Sequence, residues 1–98
     1  MPKPFESASG SITGTGIAQT ITLGFKPKLV VLFNVTSGLQ FTMYMDGMAD
    51  DTAISMVGDI SLIAANGITL SNTGFGIGSD NSVNEAAKVF KYVAIGGN

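Results

Sequence analysis

The sequence predicts an all-β protein, a single-domain antiparallel β-sandwich of about eight short strands in a jelly-roll-like arrangement. Two observations lead to this fold class. Short apolar stretches are separated by turns rich in Gly and Asn at intervals of roughly 8–12 residues, as in sandwiches and barrels. No stretch keeps the apolar periodicity of a helix, and 98 residues leave room for one core only.

The central strand is predicted at residues 29–33, which are all apolar. The β-branched side chains of Val30 and Val31 favour a strand over a helix in so short a stretch. Because both faces of this strand are apolar, we expect it to be covered on both, in the middle of the core. A structural corner that contains a glycine and a proline precedes this strand. Its residues are Gly24, Phe25, Lys26, Pro27 and Lys28.

The first residues of the chain predict an arm. Residues 1–10 contain two prolines followed by small polar residues, so we expect an extended N-terminal arm, with the sandwich domain covering residues 11–98. Residues 17–23 follow a turn-rich lead and alternate between apolar and polar, which predicts a strand that Gly24 ends.

Residues 39–46 show the most regular alternation in the chain and predict a strand with one dry and one wet face. The residues assigned to the dry face are Leu39, Phe41, Met43 and Met45. Those assigned to the wet face are Gln40, Thr42, Tyr44 and Asp46. Asp46-Gly47 ends the strand with a turn, and Met48 on the next loop has less reason to be buried within the subunit.

The second half of the chain predicts the remaining strands. Residues 52–57 form a short strand, and residues 59–65 and 67–71 form a hairpin about the dipeptide Asn66-Gly67. Residues 75–78 are short and apolar, and a polar loop follows at residues 79–84. Residues 85–91 also fit two helical turns, but the β-rich run 89–95 favours a final strand over residues 87–95.

Composition narrows the possible partners. Five basic residues against seven acidic ones give a net charge of −2, so the chain lacks the positive field that binds nucleic acid. Uncharged stretches such as residues 60–79 are broken by Asn and Gly, so we expect no membrane span. With 45% hydrophobic and 12% charged residues, the chain is unusually apolar for a small domain, which suggests that other subunits cover part of it.

The sequence offers little catalytic chemistry. It contains no His and no Cys, so the usual base of a nucleophilic triad and thiolate metal sites are both missing. Residues 46–51 hold three carboxylates but lack the ligand spacing of an EF-hand. The glycines at residues 14–16 and 74–78 complete no phosphate-binding motif. We therefore expect neither an enzyme nor a bound metal or cofactor.

A set of short motifs extends over most of the chain from Gly10. They are residues 9–10, 14–16, 19–28, 68–70, 74–78, 83–84 and 92–96, and the most specific is Leu-Gly-Phe-Lys-Pro-Lys at residues 23–28. Together they resemble the small structural proteins of tailed bacteriophages and prophages. The resemblance implies a fold and a setting, a phage particle assembled from proteins made in the bacterial cytoplasm, and no catalytic residues.

Within that setting, a module standing alone at 98 residues looks more like a capsid decoration (cement) protein than a fibre tip. The resemblance then implies a homo-oligomer, for which we expect a trimer, bound to the major capsid protein or another virion protein. The residues expected to make these contacts are Pro2, Pro4 and Phe5 on the arm and Met48 on its loop. The alternative is a tail or tail-fibre module that recognises a host glycan, with Tyr44 and Tyr92 as outward aromatic platforms.

Overall fold

The computed structural model describes residues 6–36, 40–57 and 59–96, and it is all-β apart from one short helix. The elements are β1 (Glu6–Thr13), β2 (Gln19–Thr22), β3 (Pro27–Asn34), β4 (Gln40–Met45), β5 (Thr52–Val57), β6 (Asp59–Ser71), β7 (Gly74–Ile77), α1 (Asn81–Asn84) and β8 (Val89–Gly96). The strands form one antiparallel sheet in the order β1-β8-β3-β4-β5-β6-β7-β2, curled into a half-barrel. The all-β class and the eight strands are therefore confirmed.

The two-sheet, jelly-roll-like sandwich is not confirmed, because all eight strands belong to the same sheet. The place where the chain could have divided into two sheets is β6, which pairs with β5 through its first part and with β7 through its last. Between these parts the register jumps, since Ala53 lies opposite Ile63 whereas Thr52 lies opposite Ile68. Extra residues in one strand bend and twist it locally. The sheet therefore curves through β6 instead of splitting.

The predicted hairpin at Asn66-Gly67 is wrong for the same reason. Asn66 has the positive φ of 62° expected at a turn, but it lies inside β6. The Asp51 carboxylate accepts a hydrogen bond from the Asn66 N–H at 2.9 Å, and the Gly67 N–H donates to the Asp51 carbonyl at 2.9 Å. These bonds hold the extra residues as a bulge, so the strand continues beyond them.

The core lies inside the curl. Its buried residues are Ile12, Val30, Leu32, Tyr44, Ala53, Ile63, Ile68, Phe75, Ile77, Val83, Phe90 and Ala94. The rings of Phe75 on β7 and Tyr92 on β8 meet edge to face with their centroids 5.4 Å apart. Because these strands stand near opposite ends of the strand order, their contact shows that the curl brings the two halves of the sheet together. Val83 of α1 is fully buried among these side chains.

The central strand differs from its prediction on one face. In β3, Val30 and Leu32 are buried as expected, but Leu29 and Val31 are only half-buried and Phe33 is 39% exposed. A single sheet has one inner side, so residues of the other parity lie on the outside of the curl. The expectation that β3 is covered on both faces is therefore wrong.

The two faces of β4 are reversed relative to the prediction. Thr42 and Tyr44, predicted to face water, are buried, whereas Met45, predicted to face the core, is 45% exposed. Both buried hydroxyls have hydrogen-bond partners within the protein. The Thr42 hydroxyl donates to the Ser82 carbonyl at 3.1 Å, and the Tyr44 hydroxyl donates to the Met48 carbonyl at 2.7 Å. Hydrogen-bonded polar groups of this kind are tolerated in a core.

The N-terminal arm is not confirmed. Of the residues assigned to it, 6–10 belong to β1, which pairs with β8 from Glu6 opposite Gly96 to Thr13 opposite Val89. The rest of the predicted arm, including Pro2, Pro4 and Phe5, lies outside the described residues.

The predicted corner connects β2 to β3. Gly24 has a φ of +88°, a conformation that favours glycine, and its N–H donates to the Thr73 carbonyl at 2.9 Å. Phe25 is buried, and a side chain at Gly96 would collide with its ring. Pro27 is buried at the first position of β3, while Lys26 and Lys28 are exposed. The corner thus anchors an apolar ring against the end of β8 and leaves both charges in water.

Candidate interaction surface

The outside of the curl carries a continuous apolar surface from β8 across β3, β4 and β5 to β6. We call it the outward apolar face. Its residues are Val93, Ile95, Leu29, Val31, Phe33, Phe41, Met43, Met45, Ile54, Met56, Ile60 and Leu62. Successive members along each strand are two residues apart, because alternate side chains of a strand point to the same side of the sheet.

Strand register aligns these side chains in rows that run across the sheet. One row is apolar from end to end and consists of Val93, Val31, Met43, Ile54 and Leu62. The next row contains Phe33, Phe41, Met56 and Ile60 and ends at Lys91 on β8. Directly opposite side chains on neighbouring strands are close enough to touch, so each row is a continuous ridge.

Aromatic contact strengthens the middle of the second row. Phe33 on β3 lies opposite Phe41 on β4, and their ring centroids are 5.4 Å apart with the planes tilted by 36°. Aromatic pairs at this separation are favourable beyond the area that they bury. The pair therefore fixes the local shape of the outward apolar face.

Much of this face is open to solvent. Five of its members are among the large exposed hydrophobic residues: Phe33 at 39%, Met45 at 45%, Ile60 at 71%, Leu62 at 65% and Val93 at 40%. Single exposed apolar side chains are common on proteins, but contiguous apolar patches mark interaction sites. The alignment in rows makes this a patch.

Charge is almost excluded from the outward apolar face. Lys91 stands at one corner, and its Nζ donates to the Ser11 hydroxyl on β1 at 2.7 Å. On the β8 side the surface continues into the small polar side chains of Ser7, Ser9 and Ser11. The face is thus an apolar area with a polar margin on β1, the arrangement found in protein–protein interfaces.

Met48 lies away from this face, at the end of the sheet where β4 turns into β5. It is half-buried and packs against the core, and its sulfur accepts a weak hydrogen bond from the Met45 N–H at 3.3 Å. The Asp46-Gly47 turn forms as predicted, with φ of +101° at Gly47. Met48 thus has a core contact that the sequence did not predict, and its role as a partner contact stays a prediction.

The Tyr44 hydroxyl lies beside the same turn. Burial raises the pKa of this hydroxyl above its ordinary value, and the negative charges of Asp50 and Asp46 raise the pKa further. Tyr44 therefore stays protonated as a hydrogen-bond donor to the Met48 carbonyl well into the alkaline range.

The tyrosines proposed as outward platforms for a glycan do not face outward. Tyr44 is 2% exposed, and Tyr92 is half-buried against the core, with its ring over Gly10. Among the residues that the structure describes, the aromatic side chains on the outer surface are Phe33 and Phe41, which sequence reasoning did not select. The signal that could have found them is the pairing of an alternating strand with one that is apolar on both faces.

Two negative observations concern only residues 6–36, 40–57 and 59–96. They contain no group of three or more His, Cys, Asp or Glu side chains placed to hold a metal ion. They also contain no helix with the length and hydrophobicity needed to cross a bilayer.

No family model matches the chain, and no similar protein was found among curated sequences or solved structures.

Proposed function

We propose that this protein is a structural component of a bacteriophage particle, a decoration protein that binds the assembled head shell and stabilises it. The observation that supports the proposal is the outward apolar face, which gives the chain a surface suited to association. The setting comes from the resemblance of residues 9–28 and of the second half of the chain to structural proteins of tailed phages. The most specific part of that resemblance is the corner that joins β2 to β3.

Such a protein acts by mass action. A ligand that binds the assembled shell and not its separate subunits stabilises the shell by RT ln(1 + [L]/Kd). If the ligand is a homo-oligomer, several weak contacts to neighbouring shell subunits reinforce one another without any single strong contact. The partners in this proposal are copies of the chain itself and the major capsid protein or another virion protein.

The contact residues of this proposal are those at the start of the chain, Pro2, Pro4 and Phe5, together with Met48. A truncation that tests Pro2, Pro4 and Phe5 must stop before β1. Residues 6–9 pair with β8, and removing them would take away part of the sheet. A truncation that ends at residue 5 leaves every described strand intact. We expect the protein lacking residues 1–5 to keep the unfolding temperature of the full chain and to lose binding to shells.

The decisive experiment compares particles. Phage particles are purified from cells that carry the gene and from cells in which its reading frame is deleted, and both are imaged by electron cryo-microscopy. We expect density on the outside of the shell that is missing from the deletion particles and returns when the purified protein is added. Heating should break the undecorated shells at a lower temperature.

Particles with identical shells would overturn the proposal, as would density found only on the tail. The tail-fibre alternative predicts binding to a host glycan in an array of immobilised sugars. It gains no support from the tyrosines, because neither presents an open ring on the outer surface.

A further inference from the structure

We infer that the outward apolar face binds the same face of a second copy, so that two sheets stack into a sandwich shared between two chains. This inference rests on the part of the proposed function that makes the face an association surface. It names the partner, which is another copy of this protein and not the shell.

The area of the face supports a dimer. Strands lie about 4.8 Å apart, and side chains on one face recur about every 6.8 Å along a strand. The twelve apolar side chains of the face together with Lys91 therefore cover roughly 400 Å² on each copy, measured in projection on the sheet. Two such faces together cover roughly 850 Å² in projection, and their accessible surface is larger because the side chains protrude, so the face approaches the size that a specific interface needs.

The chemistry of the face favours a second copy over a foreign partner. Interfaces between permanent homodimer subunits are more apolar than those of transient complexes. Two rows run from β8 to β6, and a third row of Ile95, Leu29 and Met45 runs from β8 to β4. Every member is apolar except Lys91. A two-fold axis through the face sets apolar rows on apolar rows, and Lys91 stands at a corner of the face, where it is exposed to solvent.

The packing mode follows from the sheet. Two β-sheets pack face to face about 10 Å apart with their strands about 30° from parallel, and side chains of the two inner surfaces interdigitate. The flexible side chains of Met43, Met45 and Met56 can adapt to the curvature of the partner. The two-layer sandwich that the sequence predicts is then formed by two chains, one sheet from each. The inferred oligomer is thus a two-fold symmetric dimer, whereas the resemblance implies a trimer.

The test uses two exposed positions on β6. Ile60→Lys together with Leu62→Lys places two positive charges on the face without disturbing the core, because both side chains are largely exposed. The matched control is Ile17→Lys, since Ile17 is 74% exposed against 71% for Ile60 but lies on the loop between β1 and β2. Masses are measured by sedimentation and by light scattering from about 1 to 100 µM, the range in which micromolar dimers dissociate. Circular dichroism checks that each variant is folded.

We expect the wild-type chain and Ile17→Lys to form dimers, and the double variant to be a folded monomer whose dimerisation is weakened at least about a hundredfold. A wild-type monomer at the highest concentration would overturn the inference, as would a trimer or a double variant that still dimerises. Shell binding is measured in parallel. A monomer that decorates shells refutes only this inference, whereas a dimer that ignores shells refutes only the proposed function.

Discussion

The side-chain amide of Gln19 donates a hydrogen bond to the Thr13 carbonyl at 3.1 Å, and so joins the last residue of β1 to the first residue of β2. These strands are the two edges of the sheet. The same amide also donates to the Asn84 Oδ1 at 2.8 Å, and Thr15 donates its N–H to that oxygen at 3.0 Å. On its other side the Asn84 amide donates to the carbonyls of Ile17 and Gly78. The buried Asn84 side chain thus links α1 to β2 and to the loop between the edge strands, and Gln19 extends the link to β1.

Replacing Asn84 tests this junction. Asn84→Ala removes four hydrogen bonds, to the Thr15 N–H, the Gln19 amide and the carbonyls of Ile17 and Gly78, and empties a fully buried position, which is costly. We expect the free energy of unfolding to fall by about 3 kcal/mol, measured by urea titration. Asn81→Ala, at an exposed position of the same helix, should change it by less than about 0.5 kcal/mol. A small effect at Asn84 would show that the edges are held by other contacts.

Two glycines of β7 make a matched pair for testing how closely β2 approaches. A Cβ at Gly74 would collide with the Ile21 carbonyl oxygen, whereas a Cβ at Gly76 would lie 3.5 Å from the Gln19 carbonyl oxygen, an ordinary contact. Gly74→Ala should therefore destabilise the protein by roughly 2–3 kcal/mol in thermal or urea unfolding. Gly76→Ala should be nearly neutral. Equal effects of the two substitutions would contradict the pairing of β2 with β7.

The buried phenol of Tyr44 predicts a pH dependence. Its folded-state pKa is raised by burial and then by Asp50 and Asp46, so the folded protein holds this proton more firmly than the unfolded chain. The stabilisation is complete below the unfolded pKa of about 10 and is lost as pH rises above it. Tyr44→Phe, which loses the hydrogen bond to Met48, should cost about 1 kcal/mol at pH 8. The gap between wild type and variant should narrow above pH 10, and a gap that does not change with pH would refute the assignment.

Met48 serves the core, so its role in binding has to be separated from its role in folding. Met48→Ala should lower the free energy of unfolding by about 1–2 kcal/mol, less than for a fully buried methionine. Met48→Leu keeps the volume and should restore most of that stability. Both are measured by urea unfolding. If Met48→Ala were neutral, the contact of Met48 with the core would contribute nothing.

Most strands of this protein can be predicted from its sequence, because turn residues and β-branched residues are local signals of short strands. Residues 52–57 were predicted as a strand and coincide with β5. The β-rich run after residue 88 favours a strand over a helix, and it forms β8. Such local signals do not say whether the strands make one sheet or two. The single sheet depends on Asp51, whose carboxylate accepts a hydrogen bond from Asn66. This bond holds a bulge within β6 where the sequence predicts a hairpin turn.

The candidate surface could not be predicted because hydrophobicity ranks the two faces of β4 in the wrong order. Phe41 and Met43 are more apolar than Thr42 and Tyr44, yet the latter pair is buried because Ser82 and Met48 supply acceptors for their hydroxyls. The Ser82 carbonyl lies forty residues away in sequence, and the Met48 carbonyl reaches Tyr44 only because the turn folds back on β4. The high apolar content did indicate surplus hydrophobic surface, and five large side chains of the outward apolar face are exposed.

The pairing of β1 with β8 has a consequence for how the chain is made. The first described strand hydrogen-bonds along its whole length to the last, and β3 pairs with the other side of that same strand. Until the ribosome has added β8, β1 lacks its partner strand and one side of β3 is unpaired. Neither strand can complete its pairing before β8 has been made, and a chain lacking residues 89–96 would leave both strands unpaired and prone to aggregation.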